Sequence, residues 1–463
     1  MLLLFFFMGQ HFSSREIVRK PYVAWMVAAV CLAECIAFML FHHNATGWWA
    51  FYMPDTQSYV FDGFTIRQPL YPMFLRACGI STEMVIPSLI AVSLIPALIY
   101  AVSAAAFTRM ATWSSCWWGL FVALFYALFP SLSIMALEMG TESLSMSLVV
   151  IMAYLFWRLL SDDSWWIWIG FVIVELMLLA IRPAFMFVPV GIAILAVMVW
   201  LLPLGRDERG WRRKVSCRLF VAVGVAAVYV LGYSAGVYYK WGVFTPSTIS
   251  LRNEYYESRV SGVIDGRYAH DKALASTINE IVSQAPDLDH VGTIWDEGIM
   301  LTNEYDLADI RSTIVLSRQA HPDIWCAYMC QKTLDGLSEP LIYPGTDKGA
   351  NAVYGFRDSI GRFLVSIGVT WWLPLMLAII WLSVAAARLI RARHTAWTGP
   401  QSRRWLFPVF LSLMILGNIA VVTLGAPYDF SRLLAPILPL FLLLILPPVG
   451  SIKRIMSSRL NEK

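Results

Sequence analysis

The chain has 463 residues, of which 58% are hydrophobic and only 14% charged, and its mean hydropathy is +0.63. An average soluble domain is about 25% charged, so these values exclude a disordered chain and argue against a water-soluble globular one. The net charge of +4 sits in short basic blocks between apolar runs rather than in one patch, which gives no footprint for nucleic acid, and seven cysteines over this length make no disulfide framework.

The LLLFFF run near the N-terminus is too short to span and is followed, not preceded, by charge, so it reads neither as a signal peptide nor as a span. It lies at the interface, or translation starts further downstream. Ten apolar runs follow, at about 21–41, 84–108, 113–130, 144–160, 165–181, 184–202, 219–240, 363–387, 406–425 and 433–449. Each can cross a hydrocarbon core of roughly 30 Å as a helix, and backbone groups in lipid must be satisfied within the segment. The expected fold is an all-α polytopic membrane protein with about ten transmembrane helices, an interfacial helix in the first outer loop and a large mixed extracytoplasmic loop. The alternative merges 165–202 into one broken or re-entrant element at Arg182-Pro183.

Basic residues in short loops set the orientation. Twenty of the 35 Lys and Arg fall on one side, among them Arg19, Arg109, Arg158 and the 205–218 segment; the opposite short loops hold only Arg67, Arg76, Arg182 and Arg432. Both termini are therefore expected in the cytoplasm. The chain divides into an N-terminal transmembrane module (1–240) whose first outer loop is 42–83, an extracytoplasmic domain (241–362) and a C-terminal transmembrane module (363–463). The extracytoplasmic segment carries 17 acids against 10 basic residues, and helical periodicity over 268–283 and 303–320.

Chemistry-bearing residues gather at the outer ends of the runs. In the first outer loop, Pro54 and Asp55 open a short helix that Gly63 closes, with Asp55, Tyr59 and Asp62 on one face. Trp48, Trp49, Phe51 and Tyr52 read as an aromatic belt holding that helix at the interface, and Arg67 and Tyr71 follow. Asp55 reads either as a helix cap or as a functional acid. Glu138 and Glu142 lie in the next outer loop, Arg182 precedes Pro183 at the end of another run, and Arg432 precedes the last. Each alone reads as structural; together they place carboxylates and guanidiniums at one depth, a combination suited to a substrate with a phosphate and a proton to lose. Glu34 and Glu175, deeper in the runs, make a thin proton relay. Cys326 and Cys330 read as thiols without further ligands at zinc spacing, and His42-His43 as interfacial aromatics.

The ordered segments PDTQSY (54–59), RQPLYPMFL (67–75), TESL (141–144), IRPAF (181–185) and SRLLAPILPL (431–440) resemble the GT-C superfamily of membrane glycosyltransferases. The match is to the bacterial branch related to protein O-mannosyltransferases and lipid A aminoarabinose transferases, and it extends over nearly the whole chain, including QAHPD at 319–323. The chain has Asp55-Thr56 where many members have paired acids, and Arg432-Leu433 where many have Arg-Tyr. The resemblance implies an inverting enzyme of the bacterial inner membrane. It would move a sugar from a polyprenyl-phosphate carrier to a cell-envelope acceptor (lipid, glycan or protein) at the outer face. It maps the essential acid onto Asp55 as catalytic residue. Tyr59, Asp62, Arg67, Tyr71, Glu138, Glu142, Arg182 and Arg432 are the expected substrate contacts. No metal ligands are assigned, though Glu142 is one place for a divalent cation (Mg²⁺ or Mn²⁺) in such a site. The competing readings are a transporter or flippase for a lipid-linked substrate and a surface-polysaccharide polymerase or ligase.

Overall fold

Apolar runs of this length leave the backbone one way to satisfy its hydrogen bonds in hydrocarbon, and the structure takes it. The computed structural model describes residues 18–51, 55–60, 67–80, 86–114, 116–162, 164–201, 209–284, 291–342, 359–360, 362–364, 366–392, 403, 405–426 and 430–446. Among these, regular structure is helical apart from two isolated bridges, Phe51 with Glu138 and Pro340 with Thr370. The helices are α1 (Pro21–Thr46), α2 (Thr56–Val60), α3 (Leu70–Ala77), α4 (Ile86–Ser114), α5 (Cys116–Leu128), α6 (Pro130–Leu137), α7 (Thr141–Leu159), α8 (Trp165–Ile181), α9 (Val188–Leu201), α10 (Arg209–Trp241), α11 (Ile249–Val260), α12 (Lys272–Ser283), α13 (Val291–Glu304), α14 (Leu307–Ala320), α15 (Pro322–Ser338), α16 (Trp372–Ala392), α17 (Leu406–Gly425), α18 (Phe430–Leu434) and α19 (Leu438–Leu444).

Among the described residues, six helical segments are long and apolar enough to cross a membrane: Pro21–Thr46, Ser88–Ser114, Thr141–Leu159, Pro183–Leu201, Arg209–Trp241 and Leu406–Gly425. The pair α5 and α6, bent by 45°, makes a seventh if it counts as one span. This is an integral membrane protein. The bend has a local cause: Pro130 lacks an N–H and disfavours helical backbone before it, and Phe129 sits extended at ψ 116°. The run expected to end near residue 130 therefore resumes and carries the chain to Leu137. The same rule separates α8 from α9. Arg182, ahead of Pro183, is extended at φ −150° and ψ 129°, and a 3-10 turn over Pro183–Phe187 starts the next helix.

A continuous apolar core runs through the membrane helices, with Phe156 stacked on Phe410 at 4.4 Å. Glu34 accepts from Ser133 Oγ at 3.3 Å, and Glu175 is buried with no hydrogen-bond partner among the described residues.

The described residues of the outer segment hold α11–α15, a 3-10 turn at Gly266–Tyr268 and the Pro340–Thr370 bridge. Gly242 and Gly262, both at positive φ, follow the ends of α10 and α11, whereas Gly298 lies inside α13. The 272–283 and 307–320 helices match the periodic stretches, and each starts on an aspartate cap: Asp271 accepts from Ala273 N at 2.7 Å and Asp306 from Ala308 N at 3.1 Å. A second core, including Leu251, Tyr255, Leu274, Ile294 and Ile310, joins α11–α14 and is separate from that of the bundle. Helix α15 ties the two cores together. Near its middle, Lys332 pairs with Glu257 of α11, which Arg318 also reaches at 3.5 Å. Near its end, Leu337 joins the bundle core, and Gly336 lets the Phe430 ring approach so closely that a Cβ there would lie 2.8 Å from it.

Candidate functional site

The first outer loop is fastened to the turn between α6 and α7. Gly47, at φ +78°, closes α1, where a side chain would be strained. The chain then runs back under the aromatic pairs His42–Phe51 (4.0 Å) and His43–Trp49 (3.9 Å). Phe51 is 2% exposed; it is a core residue, not part of an exposed aromatic belt, because its backbone pairs with Glu138 and its carbonyl accepts from Met139 N at 2.8 Å. Thr56 Oγ1 adds a bond to Met139 O at 2.8 Å.

Asp55 precedes α2 rather than lying within it, and its carbonyl accepts from Ser58 N and Oγ at 3.0 and 2.7 Å. The carboxylate turns to two arginines instead of capping the helix. Oδ1 accepts from Arg67 Nη2 at 3.2 Å and Oδ2 from Arg432 Nη2 at 3.0 Å. Arg67 is itself held by Ser58 Oγ at 3.0 Å and by the Tyr59 ring beneath its guanidinium at 4.7 Å. Burial raises the Asp55 pKa, yet the Arg67 and Arg432 charges outweigh it and hold the carboxyl down to about 2.

Glu142, in the first turn of α7 where the helix dipole favours an acid, makes the second half of the cluster. Its Oε1 lies 3.6 Å from Arg182 Nη2 and 3.9 Å from Arg432 Nε, and its Oε2 accepts from Thr141 Oγ1 at 3.2 Å. Tyr59 Oη is 3.3 Å from Thr141 Oγ1, and burial pushes its phenol pKa up, so it stays a neutral hydrogen-bonding group. Arg182 is 7% exposed, and its Nη1 has no hydrogen-bond partner among the described residues. Arg432 is carried by α18, whose start is clamped to the end of the outer domain: Glu339 Oε2 accepts from Ser431 N at 2.7 Å and Pro340 O from Ser431 Oγ at 2.6 Å.

These groups line one cavity of about 240 Å³. Of the residues singled out from sequence, Asp55, Tyr59, Arg67, Glu142, Arg182 and Arg432 meet there. Tyr71 does not line it; it is buried edge-on against Tyr59 at 4.9 Å between ring centres. Glu138 is also buried outside the cavity, with its backbone occupied in the bridge to Phe51. Neither is among the residues that line the cavity. Asp62, with Pro54 and Gly63, lies outside the described residues.

Sequence reading missed one wall. Gln68, Ser250, Asn253 and Trp295 also line the cavity, the last three from α11 and α13 of the outer domain. Gln68 donates to Pro246 O and accepts from Tyr229 Oη at 3.2 Å. Asn253 Nδ2 donates to Gly425 O, at the end of α17, at 3.0 Å.

Three guanidiniums against two carboxylates leave the cavity with one net positive charge. A divalent cation needs hard oxygen ligands. Here both Asp55 oxygens and Glu142 Oε1 face guanidiniums, and among the described residues no three His, Cys, Asp or Glu side chains come together. As arranged, the donor set suits an anion, since both carboxylates are engaged by guanidiniums. Comparisons with family models, curated proteins and solved structures give no match to this chain.

Proposed function

We propose that this protein is an inverting glycosyltransferase. It takes a sugar from a polyprenyl-phosphate carrier and transfers it to a cell-envelope acceptor at the outer face of a bacterial inner membrane. The observation that carries the reading is the meeting of Arg67, Arg182 and Arg432 around Asp55 in a single small cavity at the ends of membrane helices. A phosphate on a lipid carrier arrives at that depth, and planar guanidinium forks match its oxygens. The motif resemblance to GT-C glycosyltransferases points the same way.

A ten-span topology with both termini in the cytoplasm underlies this reading. Beside the six long apolar segments and the bent pair stand three shorter apolar helices, Trp165–Ile181, Trp372–Arg388 and Phe430–Leu444; counted together they make ten. The loops holding Arg67, Arg182 and Arg432 then share one side.

In the proposed reaction the acceptor hydroxyl oxygen attacks the anomeric carbon while the bond to the phosphate oxygen breaks. The bonding pair leaves with the polyprenyl phosphate, and Asp55 takes the acceptor proton. One displacement inverts the anomeric centre. Guanidiniums placed where the leaving charge grows lower the barrier, and a positioned carboxylate base contributes on the order of 10²–10⁴ in rate.

A carboxyl held at about 2 is a poor base, so its partners matter. When the donor phosphate takes hydrogen bonds from Arg432 and Arg67, each guanidinium is shared and Asp55 loses part of what depresses it. The substrate thereby raises the basicity of the group that acts on the acceptor. The cavity is below the range of about 300–1,000 Å³ usual for drug-sized ligands, which favours one sugar with its phosphate over an oligosaccharide. The test is release of polyprenyl phosphate from radiolabelled polyprenyl-phosphate sugars in proteoliposomes. Acceptor-dependent release by the wild type and its loss in Asp55→Asn support the reading; carriage of intact donor across the bilayer without cleavage overturns it.

A further inference from the structure

The cavity has two chemically different walls. The arginines and acids come from the membrane module; the facing wall, Ser250, Asn253 and Trp295, comes from the outer domain. An indole beside an amide and a hydroxyl is the set of groups that recognises a carbohydrate ring, with the aromatic face covering C–H bonds and a few fixed polar groups choosing the hydroxyls. We propose that Trp295 and Asn253 form the sugar-binding wall, with the donor ring against the Trp295 indole and a ring hydroxyl donating to Asn253 Oδ1. The proposal rests on the glycosyltransferase reading and assigns it a specificity determinant.

Three features support this assignment. Asn253 is already oriented, because its Nδ2 is spent on Gly425 O at 3.0 Å, and no described residue donates to its Oδ1. Ser250 is held in place as well, with its hydroxyl donating to Ser247 O at 2.7 Å. Trp295 is half-buried at the cavity edge, on a helix whose Ile294 and Leu301 anchor in the outer core. The polar part of the wall is therefore oriented without a ligand, which keeps the ordering cost of binding low. The outer domain does more than cover the site. It reads the sugar while the membrane module holds the phosphate.

The experiment compares undecaprenyl phosphate with undecaprenyl phosphates bearing glucose, mannose or 4-aminoarabinose, binding to the full-length protein in nanodiscs. Trp295→Ala should weaken the sugar-bearing lipid that the wild type prefers by about 10-fold, the scale of one aromatic contact, and shift the sugar-free lipid less than 2-fold. Trp295→Phe should recover most of the loss, which a purely structural role would not explain. An equal loss for both kinds of lipid in Trp295→Ala overturns the sugar wall and leaves the transferase reading standing. So does a wild type that binds sugar-bearing lipid no better than sugar-free. No binding of undecaprenyl phosphate by the wild type overturns the transferase reading and this inference together.

Discussion

Asp55→Asn separates catalysis from phosphate binding, because the two should move in opposite directions. The substitution keeps the size of the side chain and removes its charge, so both the proposed base and the internal competitor for Arg67 and Arg432 disappear. Loss of the base should lower turnover by on the order of 10²–10⁴. Hydrogen bonds to charged groups contribute about 1.5–3 kcal/mol each when buried. Asp55 is 30% exposed and Arg432 keeps Glu142 at 3.9 Å, so the displaced interaction is worth about 1–2 kcal/mol in total after screening. Freed of that competition, the arginines should bind polyprenyl phosphate about 5–30-fold more tightly than in the wild type. The assay is a titration of lipid-reconstituted protein with polyprenyl phosphate, run beside single-turnover release from the sugar-bearing donor. A melting curve confirms that the variant is folded. Retained turnover refutes the base, and weaker phosphate binding refutes the account of Arg67 and Arg432 as anion ligands.

Further outcomes follow from the same geometry. Arg432→Lys should fail to rescue the donor affinity lost in Arg432→Ala, by at least 10-fold, because Arg432 addresses Asp55 and Glu142 from two different nitrogens; donor KM measures it. Asp55 is depressed from 3.8 to about 2 in the folded chain, so its ion pairs stabilise the fold above pH 4 and are lost as pH falls toward 2. Melting temperature should hold from neutral pH to about 4 and then drop more in the wild type than in Asp55→Asn. The acid limb of kcat, which reports the donor complex, should lie at higher pH than that of kcat/KM, which reports the free enzyme. Gly336→Ala places a methyl 2.8 Å from the Phe430 ring; overpacking of that kind costs about 1–3 kcal/mol and displaces α18, so the melting temperature and donor affinity should fall together. Cys326 and Cys330 are free and exposed, and alkylating them should leave transfer unchanged.

The polar half of the site was legible in the sequence for a physical reason. Charged side chains at the ends of apolar runs share a depth set by the run itself, so Asp55, Arg67, Glu142, Arg182 and Arg432 could be grouped without a fold. Arg182 shows how local the rule is: the proline after it ends the helix and fixes the depth of the guanidinium. Depth says nothing about which side of a helix faces the cavity. Glu138 and Tyr71 stand at the same level and turn away from it, one beside a backbone bridge and the other behind Tyr59. Ser250, Asn253 and Trp295 were illegible because no periodicity relates the outer domain to the membrane helices. Their position depends on long-range bonds such as Asn253 to Gly425 and Ser431 to Glu339. Phe51 misled by composition, since an aromatic after two tryptophans reads as belt until its backbone is seen to pair with residue 138.

The most direct test is a structure of the protein in lipid with polyprenyl monophosphate bound. The account predicts the phosphate in the cavity within hydrogen-bond distance of Arg432 and Arg67, its isoprenoid chain leaving toward the membrane, and the Asp55–Arg432 pair lengthened from 3.0 Å. A phosphate bound elsewhere while the Asp55 pairs stay intact would contradict it.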